Sequence, residues 1–263
     1  MAIFKVEVII GTEEVVKKEF KEKFGVELSK IKLGFLTFSS ENQLADFRNI
    51  YTALRISDDK KTINLFRREW RKSFVPAGVN PALAYILCQL ADIKAEDIVL
   101  DPFCGGGTIP ITASIYFHAQ KVIASDISGK AIDISMENFE SAKIPQSAFM
   151  CFRGNVSQLK FPDNYVDKII TNMPFGIRTG NHDENIKIYN IFIKKSEKIL
   201  KPGGQMVVLT QEKSLFLNSL SGSRLNLKDH FMIRQGGLTP WIFVITKSTR
   251  TIRENDKMPA FTQ

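Results

Sequence analysis

The sequence is poor in the residues that build metal centres and disulfide frameworks. Its three cysteines, Cys88, Cys104 and Cys151, never form a Cys-x-x-Cys pair, and its three histidines, His118, His182 and His230, are equally scattered. That spacing predicts neither a zinc site nor a set of disulfides, and an odd number of thiols suits a reducing compartment. Clean hydrophobic runs are lacking as well. Lys5 and Glu7 interrupt the apolar N-terminal segment, which therefore lacks the pattern of a signal peptide. The uncharged stretch from Pro102 to Gln120 contains two prolines, three consecutive glycines, a histidine and a glutamine, poor material for burial in lipid. No internal repeat or low-complexity tract is present. These absences lead to the expectation of a soluble, cytoplasmic protein with no membrane partner.

What is present is a chain of 263 residues, 44% of them hydrophobic, enough for one large domain and a small appendage. Its 36 Lys and Arg against 28 Asp and Glu give a formal charge of +8. A basic balance suits a polyanionic partner, although charge alone does not identify nucleic acid.

Along the chain, Ile3 to Ile10 reads as a strand, and Thr12 with Glu13 and Glu14 as a helix start favoured by the macrodipole. Val16, Phe20 and Phe24 then recur at four-residue spacing on one helical face. Ile31 to Phe38 is a second strand, and Leu44, Phe47, Tyr51 and Leu54 mark a second amphipathic helix, closing a β-α-β-α half-domain near Arg55. After a strand candidate at Thr62 to Phe66, Arg67, Arg68, Arg71 and Lys72 surround Trp70. Such interleaving suits RNA phosphate contact with base stacking. It equally suits a solvated linker whose tryptophan packs on a neighbouring domain. Pro76, Gly78 and Pro81 punctuate the boundary, and Asn80 can cap a helix carrying Leu83, Leu87 and Leu90.

From Asp97 the pattern alternates strand and helix, as a parallel sheet covered on both faces requires. Strands are expected at Ile98 to Asp101, Lys121 to Asp126, Phe149 to Arg153, Val166 to Thr171 and Gln205 to Thr210. Phe231 to Arg234 and Trp241 to Thr246 are too close in sequence for a helical crossover and should pair antiparallel.

The strongest chemical signal is Asp101-Pro102-Phe103-Cys104-Gly105-Gly106-Gly107-Thr108, where a strand hands over to a helix. Glycines there admit a ligand close to the backbone, and the helix beyond offers free amide donors. Asp126 ends the next strand, at the spacing where a carboxylate meets ribose hydroxyls in nucleotide-binding α/β folds. A carboxylate at Asp101 would repel a dinucleotide pyrophosphate but attract the ammonium and sulfonium charges of S-adenosylmethionine. The third position after Gly107 is Pro110, so Gly-x-Gly-x-x-Gly is not met either. S-adenosylmethionine is the cofactor these residues point to.

These segments, together with Ser125-Asp126-Ile127, Thr171-Asn172-Met173-Pro174-Phe175-Gly176 and Lys201-Pro202-Gly203-Gly204, resemble the class I RNA methyltransferases that form N2-methylguanosine, a family often carrying a THUMP domain. The match runs from about Asn80 to Lys247. Gly11-Thr12-Glu13-Glu14, Gly34-Phe35 and the segment through Leu54-Arg55 resemble the ferredoxin-like half that precedes THUMP in that family. The resemblance implies an α/β Rossmann-like class I methyltransferase with a mostly parallel seven-stranded sheet and a C-terminal antiparallel hairpin, after a small ferredoxin-like half-domain. The expected layout is a ferredoxin-like domain at 1–60, a basic linker at 61–79, the methyltransferase domain at 80–247 and a flexible tail at 248–263. THUMP itself has no room in this layout, so an activating or RNA-binding subunit is a candidate partner.

For the sites, the resemblance implies a cofactor lined by Asp101, Phe103, Cys104, Gly105, Gly107, Thr108, Asp126, Ile127, Asn155, Val156 and Asn172. Asn155 stands where the family usually has aspartate, and its amide oxygen can still accept from the adenine amino group. Asn172, Met173, Pro174 and Phe175 match the amine-methyltransferase pattern. An exocyclic amine is a poor nucleophile because its lone pair is delocalised into the ring. The Asn172 oxygen and Met173 carbonyl can accept its two hydrogens and aim the lone pair at a methyl group. Pro174 stiffens the turn, and Phe175 offers a ring for an unpaired base. Arg67, Arg68, Arg71 and Arg178 are candidate RNA contacts. Three readings stay open: a tRNA guanine-N2 methyltransferase, an N6-adenine or protein-glutamine methyltransferase, and a non-catalytic RNA-binding relative. Intact Asn172, Pro174 and Phe175 argue against the last.

Overall fold

The computed structural model describes residues 1–76, 78–174 and 182–249. The chain builds two sheets. The first has five strands, β1 (Ala2–Glu7), β2 (Ser29–Lys32), β3 (Phe35–Ser40), β4 (Arg55–Ser57) and β5 (Thr62–Asn64), in the order β2-β3-β1-β4-β5. All neighbours are antiparallel. With α1 (Glu13–Phe24) crossing between β1 and β2, its first four strands follow the ferredoxin-like order. Val16 and Phe20 turn inward with Phe4, Phe38 and Phe47, whose rings meet at centroid distances from 5.1 Å.

Two expectations about this half are corrected. Ile31 to Phe38 is not one strand, because the chain reverses at Leu33–Gly34 and gives β2 and β3. The second amphipathic helix is a single short 3₁₀ segment, Leu44–Asn49. Its continuation is pre-empted by Glu19, a carboxylate 2% exposed on α1. Glu19 accepts from the amides of Tyr51 and Thr52 and from the Thr52 hydroxyl, at 2.6 to 3.1 Å. Donors held by a side chain are withdrawn from a helical ladder.

The second sheet has seven strands in the order β11-β12-β10-β9-β6-β7-β8. They are β6 (Ile98–Asp101), β7 (Lys121–Asp126), β8 (Phe149–Arg153), β9 (Val166–Asn172), β10 (Leu200–Thr210), β11 (Leu225–Met232) and β12 (Trp241–Lys247). The five from β10 to β8 run parallel, while β12 is antiparallel to both neighbours and forms the expected terminal hairpin with β11. Helices α2 (Pro81–Leu90), α3 (Thr108–Phe117) and α4 (Gly129–Ser141) cover one face; α5 (His182–Ile199) and α6 (Lys213–Leu220) cover the other. Alternation along β10 explains the near-continuous apolar run. Val207 and Leu209 enter the first core, and Met206 and Val208 the second. Asn80 caps α2 by accepting from the Ala82 amide at 2.8 Å. Among the described residues no helix is long and apolar enough to cross a membrane.

The sheets are joined through the Arg234 amide, which donates to the Ile10 carbonyl at 2.9 Å, and through Ile9, which packs into the same core as Ile233.

Candidate active site at the switch point of the sheet

Strand order reverses between β6 and β9, so their carboxyl ends flank the crevice where ligands bind in open α/β sheets. Asp101 closes β6 and is 1% exposed. Its Oδ1 accepts from the Thr171 hydroxyl at 2.6 Å and from the Phe103 amide at 3.1 Å. Burial pushes the Asp101 carboxyl up to about 7, against the pull of these two hydrogen bonds and with a small push from Asp126.

The loop after β6 is built for a close approach. Gly105 and Gly107 have φ of +51° and +78°, in the left-handed region that glycine favours. At Gly107 a Cβ would stand 2.4 Å from Ser135 Oγ. The Gly105 amide donates to Asp126 Oδ2 at 2.9 Å, and the Ser128 amide to Asp126 Oδ1 at 2.9 Å, so the carboxylate ending β7 braces the loop and keeps further lone pairs. Thr108 begins α3, whose first-turn amides lack intrahelical acceptors. Cys104 is buried, and Phe103 packs on Phe192 with centroids 5.7 Å apart.

At the end of β9, the Asn172 Oδ1 is buried with no hydrogen-bond partner among the described residues. An unsatisfied buried acceptor is costly, and a donor arriving in the crevice would relieve it. The Met173 side chain is 1% exposed, and its amide donates to the Leu209 carbonyl at 2.9 Å. The Pro174 carbonyl accepts from the Tyr189 hydroxyl at 3.3 Å, and that hydroxyl also pairs with Thr210 Oγ1 at 2.6 Å. Phe175 and Arg178 lie outside the described residues.

Beside the β7 end, Ile127, Arg153, Gly154, Asn155 and Gln158 line a depression of about 400 Å³. Ile127 is 63% exposed there. The Asn155 Oδ1 accepts from the Ser157 amide at 2.9 Å, and the residue closes a capping box with Gln158, whose side chain accepts from the Asn155 amide at 3.3 Å. Val156 turns its side chain into the core. An apolar face, an amide oxygen, a braced carboxylate and a glycine-lined loop make a donor set that fits a nucleoside bearing a cationic arm.

Residues 68–240 match the UPF0020 model, described as an RMKL-like methyltransferase domain. The chain belongs to this family. A tRNA (guanine(6)-N2)-methyltransferase of Methanocaldococcus jannaschii is 26% identical over 72% of this chain and 59% of its own length. A tRNA (guanine(6)-N2)-methyltransferase of Thermus thermophilus is 31% identical over 68% of this chain and 53% of its own length. A tRNA (guanine(10)-N2)-dimethyltransferase of Methanothermobacter thermautotrophicus is 31% identical over 66% and 51%. The chain thus spans between 51% and 59% of the length of these curated relatives. TrmN from Thermus thermophilus superposes with a TM-score of 0.82 at 19% identity, over 94% of this chain and all of that one. SMU.472, solved in complex with SAH, gives 0.76 at 13% identity over 96% and 99%. Both likenesses concern the fold.

In this member of the family the basic linker divides. Arg67 is exposed. Arg68 lies over the rings of Tyr51 and Tyr116, at 5.1 and 5.6 Å, and donates to the carbonyls of Leu65, Arg67 and Tyr51. Trp70 is buried in the methyltransferase core, which fits the linker reading for that residue. Sequence patterns missed Thr171 as a partner of Asp101, Tyr189 as a partner of Pro174, and Asn138. The fully buried Asn138 side chain accepts from the Lys72 and Ser73 amides and donates to the Ser73 and Gly106 carbonyls. A polar residue on the inner face of an amphipathic helix was the available signal.

Proposed function

We propose that this chain methylates the exocyclic N2 amine of guanosine in tRNA, using S-adenosylmethionine. The observation that carries the reading is the buried Asn172 oxygen beside the glycine loop, without a hydrogen-bond partner among the described residues. Support for the substrate comes from relatives named as tRNA guanine-N2 methyltransferases. The cofactor, when bound, supplies an electrophilic methyl group. Gly105, Gly107 and the start of α3 would receive its amino-acid arm beside Asp101, Asp126 its ribose, and Ile127 with Asn155 its adenine.

The Asn172 oxygen and the Met173 carbonyl accept the two amine hydrogens, turning the guanine nitrogen toward tetrahedral character and aiming its lone pair into the crevice. Pro174, held through its carbonyl by Tyr189, fixes the angle of that pair of acceptors. Phe175 is assigned to stack the base. With the nitrogen so held, the bound cofactor would supply the methyl group, and the methylated, cationic amine would lose its proton to water. No base is needed beforehand. The reading places the work in the cytoplasm, with RNA gripped by the chain's own basic surface or by a second subunit.

The test is incubation of the chain with methyl-labelled S-adenosylmethionine and, separately, unmethylated tRNA, DNA and protein. N2-methylguanosine as the labelled product in tRNA is expected. Label in N6-methyladenine or in protein glutamine, with none in tRNA guanosine, would overturn the reading.

A further inference from the structure

Phe74 is 68% exposed, and no other phenylalanine among the described residues is open to this degree. Exposed aromatic rings on connecting segments are ordinarily free to move, but this one is mounted on a fixed backbone. The Lys72 and Ser73 amides donate to Asn138 Oδ1 at 2.9 and 3.2 Å, and the Ser73 carbonyl accepts from Asn138 Nδ2 at 2.9 Å. The same Nδ2 donates to the Gly106 carbonyl at 2.9 Å. On the other side of the ring, the Val75 Cγ2 stands 3.1 Å from where a Cβ on Gly105 would be. Phe74 is therefore fastened before and after to the glycine loop.

Arg71 completes the arrangement. Its guanidinium stands 5.4 Å from the Phe74 ring centroid. Its Nε is buried without a hydrogen-bond partner among the described residues, and no carboxylate among them acts on its charge. Burial lowers its pKa, the mark of a cation that has lost water and gained no counter-charge. Such a group favours an incoming anion. A planar ring next to an uncompensated guanidinium matches the two recurring parts of a nucleotide in a single strand, a base face and a phosphate.

We propose that Phe74 and Arg71 form a nucleotide clamp at the rim of the cofactor loop, Phe74 stacking a base of the RNA strand flanking the target and Arg71 pairing with its phosphate. The clamp rests on the reading that RNA is the substrate. It fixes the strand against the same Asn138-braced loop that carries the cofactor.

The test is equilibrium binding of a labelled unmodified tRNA transcript to the full chain across a salt series, with cofactor affinity measured in parallel by calorimetry. Phe74→Ala is expected to raise the tRNA Kd about tenfold, as for loss of one stacked base. Phe74→Trp is expected to restore it. Arg71→Gln should lower the slope of log affinity against log salt by about one phosphate's worth. S-adenosylmethionine affinity should stay within about twofold throughout. An unchanged tRNA Kd in both Phe74→Ala and Arg71→Gln overturns the clamp, as does a loss confined to cofactor affinity. Because the readout is binding, a chain that grips tRNA through the clamp yet methylates no guanosine would defeat the proposed reaction and leave the clamp standing.

Discussion

The Thr171 hydroxyl donates to Asp101 Oδ1 at 2.6 Å, tying the last residue of β6 to the residue before Asn172 on β9. The glycine loop and the acceptor turn are thereby one mechanical unit. A shift of either strand end would move the glycine loop relative to Asn172, and in the proposed reaction such misplacement costs rate.

Asp101 makes this unit sensitive to pH. Its folded pKa is raised from 3.8 to about 7, so the folded chain holds a proton that the unfolded chain has released. The stabilising contribution is complete below the unfolded value and is lost as pH rises through about 7. Thermal midpoints of the cofactor-free chain should fall across that window, and Asp101→Asn should flatten the dependence. A cationic ligand favours the carboxylate, so S-adenosylmethionine affinity should rise over the same window. Identical pH profiles for the wild type and Asp101→Asn would remove Asp101 from both effects.

Asp126→Ala removes the brace on the Gly105 amide together with the expected ribose acceptor. Calorimetry should show cofactor affinity weakened by at least tenfold, as for loss of charge-assisted hydrogen bonds. Unchanged affinity would take Asp126 out of the site.

Tyr189→Phe deletes the donor to the Pro174 carbonyl and leaves Thr210 Oγ1 without its short partner. Turnover should drop several-fold while cofactor Kd holds, because the acceptor turn slackens and the glycine loop does not. Equal loss in both quantities would mark Tyr189 as a general packing residue.

Glu19→Ala strands the half-buried Tyr51 amide and the buried Thr52 amide that the carboxylate satisfies. A stability loss of about 3 kcal/mol is expected in denaturant titration, since each orphaned buried donor costs roughly 1–3 kcal/mol. Glu19→Gln should cost less. A stability loss below about 0.5 kcal/mol would show that water replaces the carboxylate there.

The parallel sheet was legible because buried strands read as apolar runs punctuated by glycine turns, and Asp101, Asp126 and Asn172 each fall at a strand end. The short 3₁₀ segment at Leu44–Asn49 was not, since the spacing of Leu44, Phe47 and Tyr51 is helical and the competing acceptor, Glu19, lies more than thirty residues away in sequence. Asn138 was hidden for a similar reason. It sits inside α4 at a core position, and its partners Lys72, Ser73 and Gly106 come from two other segments. Arg68 reads from sequence as one of a basic run, whereas three tyrosine rings contributed by distant elements enclose its surroundings.

In the proposed reaction the Asn172 side chain is the acceptor that primes the amine. The direct measurement is the single-turnover rate of methyl transfer to tRNA by Asn172→Ala at saturating cofactor, beside its cofactor Kd. A rate loss of about a hundredfold or more with Kd within about tenfold of wild type is the expected result, as for a polar contact made in the transition state. Wild-type turnover in that variant would contradict the mechanism.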